Sequence, residues 1–212
     1  MKRNIRWVVW AVVMLGHLGA STAAQATALP PGSIGVSVTS IPSFTGTVLA
    51  ESVGSLVTPT GRIGTVEEFV VTNGTGALCA GCLSFVYQFQ VSAGSVLSLA
   101  ASSYDAFTID VTQTPGPSAS LPGSQFGTFL ANGADRSASG TMIRFDFTSP
   151  VTAGSFLEIV NTNATSYSTG IITVSSSGGV ANTDGFVPVP EPTTALLVGS
   201  SLVALGVWRR RS

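Results

Sequence analysis

The alternation of apolar and polar side chains in LSFVYQFQV, residues 83–91, is the feature that most constrains the fold. Successive side chains of an extended backbone point to opposite faces, so Leu83, Phe85, Tyr87, Phe89 and Val91 share one face. Polar residues take most of the remaining positions. The pattern predicts a half-buried β-strand, and such a strand needs a second layer to cover its apolar face.

Seven other short runs have the same character, being rich in β-branched and aromatic residues and bounded by Gly, Asn or Pro. These runs cover residues 34–39, 68–72, 96–101, 106–112, 142–147, 156–161 and 170–175. We call residues 29–188 the body of the chain. No stretch of the body has a helical period with capping residues. The sequence therefore predicts an all-β domain over residues 29–175, an antiparallel β-sandwich of the jelly-roll or Ig-like kind.

Two segments rich in small and turn-forming residues interrupt or follow these runs. Residues 112–125, TQTPGPSASLPGSQ, are expected to form a loop. Residues 176–188 combine Gly, Ser, Asn and Asp, a composition typical of flexible linkers. We expect this second segment to be a flexible stalk that follows the sandwich.

The charge of the body excludes two classes of partner. Between residues 29 and 188 there are nine acidic residues and three arginines, a net charge of −6, and no Lys, His or Trp. A domain this acidic lacks the basic surface that nucleic acid requires. It also lacks the polybasic surface that anionic lipid attracts.

The N-terminal residues 1–28 have the features of a secretory signal peptide. A basic stretch containing Lys2, Arg3 and Arg6 precedes twelve mostly apolar residues, 7–18, and two small-x-small patterns end at Ala26 and Ala28. The apolar stretch is short for a membrane span of about 20 residues, which favours cleavage by signal peptidase over an uncleaved anchor. The sequence thus predicts export, with a signal helix that precedes the mature protein.

The C-terminal residues 189–212 hold a second short apolar segment. Residues 195–208 carry no charge and, as a helix, would reach roughly 21 Å, which is less than the hydrocarbon core of about 30 Å. The basic residues that follow would stay in the cytoplasm; they are Arg209, Arg210 and Arg211. A short apolar helix with this orientation places the body outside the membrane.

The C-terminal segment begins with Val189, Pro190, Glu191 and Pro192, and the apolar run and the arginines follow. This order resembles the PEP-CTERM sorting signal of Gram-negative bacteria. The resemblance implies processing by an exosortase, a membrane-bound intermediate, and delivery to the cell surface or extracellular matrix, often with exopolysaccharide. The same tail also resembles the segment known as an ice-binding protein C-terminal domain, which says nothing of what the body binds. A plain tail anchor is the alternative.

The only two cysteines form the motif CAGC, Cys79 to Cys82, between two predicted strands. A structural disulfide is the expected state in an exported chain. A redox pair would need a helix N-terminus to activate the first thiol, and a zinc site would need two further ligands. The body has neither a second cysteine pair nor a histidine, so we predict a disulfide and no metal or cofactor.

Catalytic arrangements are sparse in the sequence. A histidine-assisted serine hydrolase lacks its base, because the only His is His17 in the predicted signal peptide. The carboxylate candidates for acid–base work are two adjacent acids, Glu67 and Glu68, and a second pair, Asp105 and Asp110. Solvated surface charge is the simpler interpretation of all four, and a calcium site remains an alternative.

Two functional hypotheses follow. The first is an exported, non-enzymatic protein of the cell surface or extracellular matrix, sorted by its C-terminal signal. The second is a carbohydrate- or ice-binding β-sandwich. A sugar site would use aromatic side chains, for which the body offers phenylalanines and three tyrosines, Tyr87, Tyr104 and Tyr167. An ice site would need a regular array of threonines, and the threonines here do not repeat regularly.

Overall fold

A computed structural model describes residues 26–115, 121–122 and 129–190. All regular secondary structure in these ranges is β, which confirms the predicted class. The strands are β1 (Thr27–Ala28), β2 (Thr39–Ser40), β3 (Thr47–Thr58), β4 (Gly61–Thr72), β5 (Leu83–Val91), β6 (Val96–Ala101), β7 (Ile109–Gln113), β8 (Gly133–Arg136), β9 (Ile143–Val151), β10 (Gly154–Thr162), β11 (Ser166–Ser176) and β12 (Gly179–Val189). The predicted signal helix and C-terminal apolar helix lie outside these ranges.

The strands form two sheets, as a sandwich requires. The large sheet has the order β1-β7-β10-β5-β4-β3, with β2 added beside β7, and the small sheet has the order β12-β11-β6-β9-β8. All pairs are antiparallel except the short β2–β7 pair. Within the ranges that the structure describes, no helix has the length and apolarity that crossing a membrane requires.

The core lies between the sheets and is built on the alternating residues of β5. Phe85, Tyr87 and Phe89 are fully buried there, and the Phe89 ring stacks on Phe156 of β10 with ring centroids 5.0 Å apart. The alternation that predicted one apolar face of β5 therefore identified the inner face correctly.

The outer face of the large sheet is also covered, which the alternation did not predict. A second apolar cluster lies on this face and includes Phe44 and Leu121 from loops and Val86, Leu157 and Ile159 from the two central strands. Both faces of β5 and β10 are thus buried. This explains why Val86 interrupts the polar positions of β5, and why nearly every residue of β10 is buried.

The predicted stalk is wrong over most of its length. Residues 179–189 form β12, which pairs with β11 from Gly179 opposite Ser176 to Val189 opposite Ser166. The Gly, Asn and Asp residues that suggested flexibility occupy an edge strand, where polar side chains can face water. The sheets therefore extend to Val189, beyond the predicted boundary at residue 175.

Strand β12 also meets the other sheet at the side of the sandwich. The Ser52 hydroxyl on β3 donates a 3.2 Å hydrogen bond to the carbonyl of Asp184 on β12. Close approach is possible because Gly54 has no side chain; an added Cβ there would collide with Thr183. The edges of the two sheets at β3 and β12 therefore lie against each other.

A buried arginine holds together the opposite side of the molecule. The guanidinium of Arg136 on β8 donates to the backbone carbonyls of Leu29, Tyr104, Phe107 and Gly140 at 2.7–3.2 Å. These carbonyls belong to the N-terminal segment and to the loops after β6 and β8. One side chain thereby fixes three otherwise separate segments.

Candidate functional site

Four polar side chains form a row across the inner face of the large sheet. Glu68 on β4 is directly opposite Tyr87 on β5, Tyr87 is opposite Glu158 on β10, and Glu158 is opposite Gln113 on β7. All four are buried, and both carboxyl groups are fully so. We call these residues the polar row. It is the only grouping of buried carboxyl side chains in the described ranges.

The positions of the two acids follow from strand alternation. Glu68 lies between Val66 and Val70, and Glu158 between Phe156 and Val160, with all four apolar neighbours in the core. An acid on the apolar face of an alternating strand is the signal that could have identified the pair. Glu68 was predicted as a candidate only beside Glu67, and Glu158 and Gln113 were not predicted as site residues.

Glu68 connects the two sheets. Its Oε2 accepts a 2.6 Å hydrogen bond from the backbone N–H of Phe186 on β12, and an added Cβ at the adjacent Gly185 would collide with the same oxygen. Burial raises the pKa of Glu68 to about 8, because the charged form loses its hydration. The Phe186 N–H and the Tyr87 hydroxyl lower this pKa by smaller amounts.

Glu158 has fewer partners. Its Oε1 shares the backbone N–H of Ala131 with Gln113 Oε1, at 3.3 Å and 2.7 Å respectively, and its buried Oε2 accepts no hydrogen bond from the described residues. Burial raises the pKa of Glu158 well above its ordinary value, and the Ala131 N–H opposes this only in part. The neutral acid is therefore the form that this environment favours.

Two tyrosines complete the buried polar groups. The hydroxyls of Tyr87 and Tyr104 are 2.6 Å apart, and burial raises the pKa of both well above the usual value. Tyr104 comes from the loop after β6, and its ring meets Phe85 edge-on. The third tyrosine, Tyr167, packs edge-on against Phe186. None of the three forms an exposed aromatic platform.

The polar row can hold protons but offers no reaction site to a substrate in solution. Glu68 and Glu158 are separated by the strand that carries Tyr87, which implies about 10 Å between their backbones. The paired carboxylates of glycosidases flank an open cleft that admits the substrate. Here both carboxyls are fully enclosed between the sheets.

The other predicted carboxylates are not brought into one site. Glu67 points away from the core, and its pKa is raised by partial burial and then by the nearby Glu51. Asp105 lies exposed in the loop after β6. Asp110 is half-buried on β7, where burial raises its pKa.

Cys79 and Cys82 form a disulfide, as predicted. Their Cα atoms are 5.2 Å apart in the loop between β4 and β5, with Cys79 exposed and Cys82 buried. Asn73 Oδ1 accepts a hydrogen bond from the Gly81 N–H, and this bond joins the beginning of the loop to its later part. This loop contains no helix whose N-terminus could activate Cys79. In the described part of the chain, no three His, Cys, Asp or Glu side chains are grouped as metal ligands.

Three charged side chains of β8 and β9 form a cluster on the small sheet. Arg144 on β9 forms ion pairs with Asp135 at 2.5 Å and Asp146 at 3.0 Å. The Gly35 N–H also donates to Asp135, at 2.6 Å. Arg144 is about half exposed, so solvent screening leaves these pairs little effect on stability.

The chain leaves the sandwich at Val189 and Pro190. These two residues, with Ala106 and Phe107 from the loop after β6 and residues 163–165 from the loop after β10, line a groove of about 240 Å³. We call the residues 106–107 and 163–165 the exit rim. Of the predicted sorting residues, Val189 and Pro190 are described, whereas Glu191, Pro192 and the arginines 209–211 lie outside the described ranges.

Comparison with known proteins gives one match. A family model for the PEP-CTERM protein-sorting motif matches residues 188–211. No curated protein and no solved structure has significant similarity to the chain. The match begins at Pro188, one residue before β12 ends, and does not extend over the rest of the sandwich. The chain therefore carries a PEP-CTERM protein-sorting motif at its C-terminal end.

Proposed function

We propose that this protein is an exported, non-enzymatic β-sandwich displayed at the cell surface or in the extracellular matrix after processing by an exosortase. The observation that carries the proposal is the sorting motif at residues 188–211, which implies processing of this kind. The disulfide agrees with an oxidising destination. The body acts as the displayed cargo of the C-terminal signal.

The non-enzymatic part of the proposal draws support from the enclosure of the polar row. The buried carboxyls with the most strongly raised pKa values, Glu68 and Glu158, are those that no dissolved substrate could reach. Purified protein is expected to leave polysaccharides intact. Hydrolysis that disappears in Glu68→Gln or Glu67→Gln would contradict this part.

Carbohydrate or ice binding has no specific geometric support. Tyr87 and Tyr104 are fully buried, and Tyr167 packs against Phe186 rather than standing on an open face. We expect a glycan array and an ice-recrystallisation assay on the purified protein to be negative. A saturable signal in either would restore the binding hypothesis.

Sorting can be tested at a boundary that the structure supplies. Deleting residues 190–212 leaves β12 complete to Val189, so the truncated chain should fold. We expect it to leave the surface fraction and collect in soluble fractions outside the cytoplasm. Unchanged surface retention would overturn the sorting proposal.

A milder variant separates motif recognition from loss of the tail. Replacing Pro190 and Pro192 with Ala should block processing while the apolar run is retained. The matched control replaces Pro30 and Pro31, a proline pair in the N-terminal segment, and should be processed normally.

A further inference from the structure

The sorting motif overlaps the folded domain. Pro188, the first residue of the match, is buried in β12 opposite Tyr167, and Val189 lies opposite Ser166. No linker separates the sandwich from the motif. From Val189 to Pro192 the chain spans three residues, which is at most about 11 Å. An enzyme bound to the motif must therefore be in contact range of the sandwich.

The exit rim is the surface that such an enzyme would meet. The loop after β10 is held by the Asn163 side chain, whose Oδ1 accepts from the Thr108 N–H at 2.9 Å. On its other side, the Ala164 carbonyl accepts from the Leu83 N–H at 2.9 Å. The exit rim thus has a fixed position relative to the start of β5, and Ala164 is buried in it.

The groove in the exit rim already includes part of the motif. Val189 and Pro190 line it together with Ala106 and Phe107. The rim residues themselves are uncharged, although Asp105 precedes them in the same loop. A protein that binds the chain beyond Pro190 would lie next to this groove and cover it.

We propose that the exit rim is a second recognition surface for the exosortase, which reads the motif together with the folded end of the sandwich. This inference rests on the proposed sorting function and adds a requirement to it. The body then contributes to its own processing through the groove beside Val189.

The test combines a rim substitution with a change in spacing. Ala106→Arg adds bulk and charge to the groove without removing a side-chain contact. The matched control is Ala93→Arg, which adds the same side chain at an exposed turn between β5 and β6, outside the groove. The second change inserts eight residues between Val189 and Pro190, seven Gly and Ser residues followed by a Val. Both β12 and the Val-Pro-Glu-Pro sequence then remain complete.

The measured quantity is the rate at which the full-length precursor is processed in cells that contain the exosortase. We expect A106R to slow processing at least five-fold at native spacing and less than two-fold with the insertion. A93R should match the unsubstituted chain in both backgrounds. The insertion alone should also slow processing, because it separates the motif from the exit rim.

Three results would overturn the inference. They are equal rates for A106R and A93R, equal slowing by A106R at both spacings, and faster processing after insertion alone. A thermal melt of each chain shows whether A106R is folded, and Ala106→Gln serves as a smaller rim change if it is not. Failure of sorting itself would appear separately, as unchanged surface retention after deletion of residues 190–212.

Discussion

Glu68 on β4 accepts a 2.6 Å hydrogen bond from the backbone N–H of Phe186 on β12, so a buried acid joins the two sheets. The last strand of the domain is thus attached to the core three residues before the chain leaves the sandwich. Because its pKa is raised, the protonation state of Glu68 influences the stability of the fold.

The first prediction is that stability falls as pH rises. The pKa of Glu68 is about 8 in the folded protein, against 4.5 ordinarily, and that of Glu158 is shifted in the same direction. Both contributions are fully present below about pH 4.5, where the unfolded chain is protonated too, and the Glu68 contribution is lost as pH rises through 8. Glu68→Gln should remove up to about 5 kcal/mol of this pH dependence.

Denaturant titrations between pH 4.5 and 9 measure this effect. Glu67→Gln is the control, since that side chain is only partly buried on the other face of β4. A stability profile for Glu68→Gln as steep as that of the native protein would refute the assignment.

The second prediction concerns Gly185. A methyl group there would collide with the Glu68 carboxylate and with Ile172, so Gly185→Ala should lower the free energy of unfolding by about 2 kcal/mol or more. Gly133→Ala is the matched control, because its added Cβ would have only ordinary contacts. Chemical denaturation compares the two variants, and equal stabilities would show that β12 can move away from Glu68 at no cost.

The third prediction concerns the disulfide. Joining Cys79 to Cys82 closes a four-residue ring, for which the loop-entropy relation gives about 2 kcal/mol. The double substitution Cys79→Ser and Cys82→Ala should lose about that much stability and should still be exported and processed. Loss of processing in a chain that remains folded would instead indicate a thiol-dependent role.

The fourth prediction concerns the mature N-terminus. The two possible signal-peptide cleavages follow Ala26 and Ala28, but Thr27 and Ala28 form β1 beside β7. The Thr27 hydroxyl is 2.6 Å from that of Thr39 and accepts from the Thr39 N–H. Cleavage after Ala26 preserves these contacts, so we expect the exported protein to begin at Thr27. Mass spectrometry of the mature protein measures this, and a start at Leu29 would contradict it.

The sequence predicted those strands whose own pattern determines them. The bounds of β5 and β6 agree with the predicted runs, because several apolar side chains of each run face the core. Strand β12 was mistaken for a stalk because its Gly185 is required by Glu68, a residue more than a hundred positions earlier. Periodicity within β12 contains no trace of that contact.

The candidate sites also differ in whether local sequence or long-range pairing defines them. The sorting motif is local, so its residues could be identified directly, and the predicted export of the chain indicated a disulfide between its only two cysteines, Cys79 and Cys82. The polar row depends on register between four strands, and no single run shows that Glu68, Tyr87, Glu158 and Gln113 are neighbours. Long-range pairing must be known before such a row can be recognised.

The contact between the edges at β3 and β12 affects how neighbouring copies of this protein can interact. An uncovered sheet edge invites strand exchange and fibre growth between identical molecules. Here the long strand β3 lies against β12, with Gly54 next to Thr183 and the Ser52 hydroxyl bonded to Asp184. Many copies could therefore be displayed side by side while each retains its own strands and is protected against polymerisation along this side.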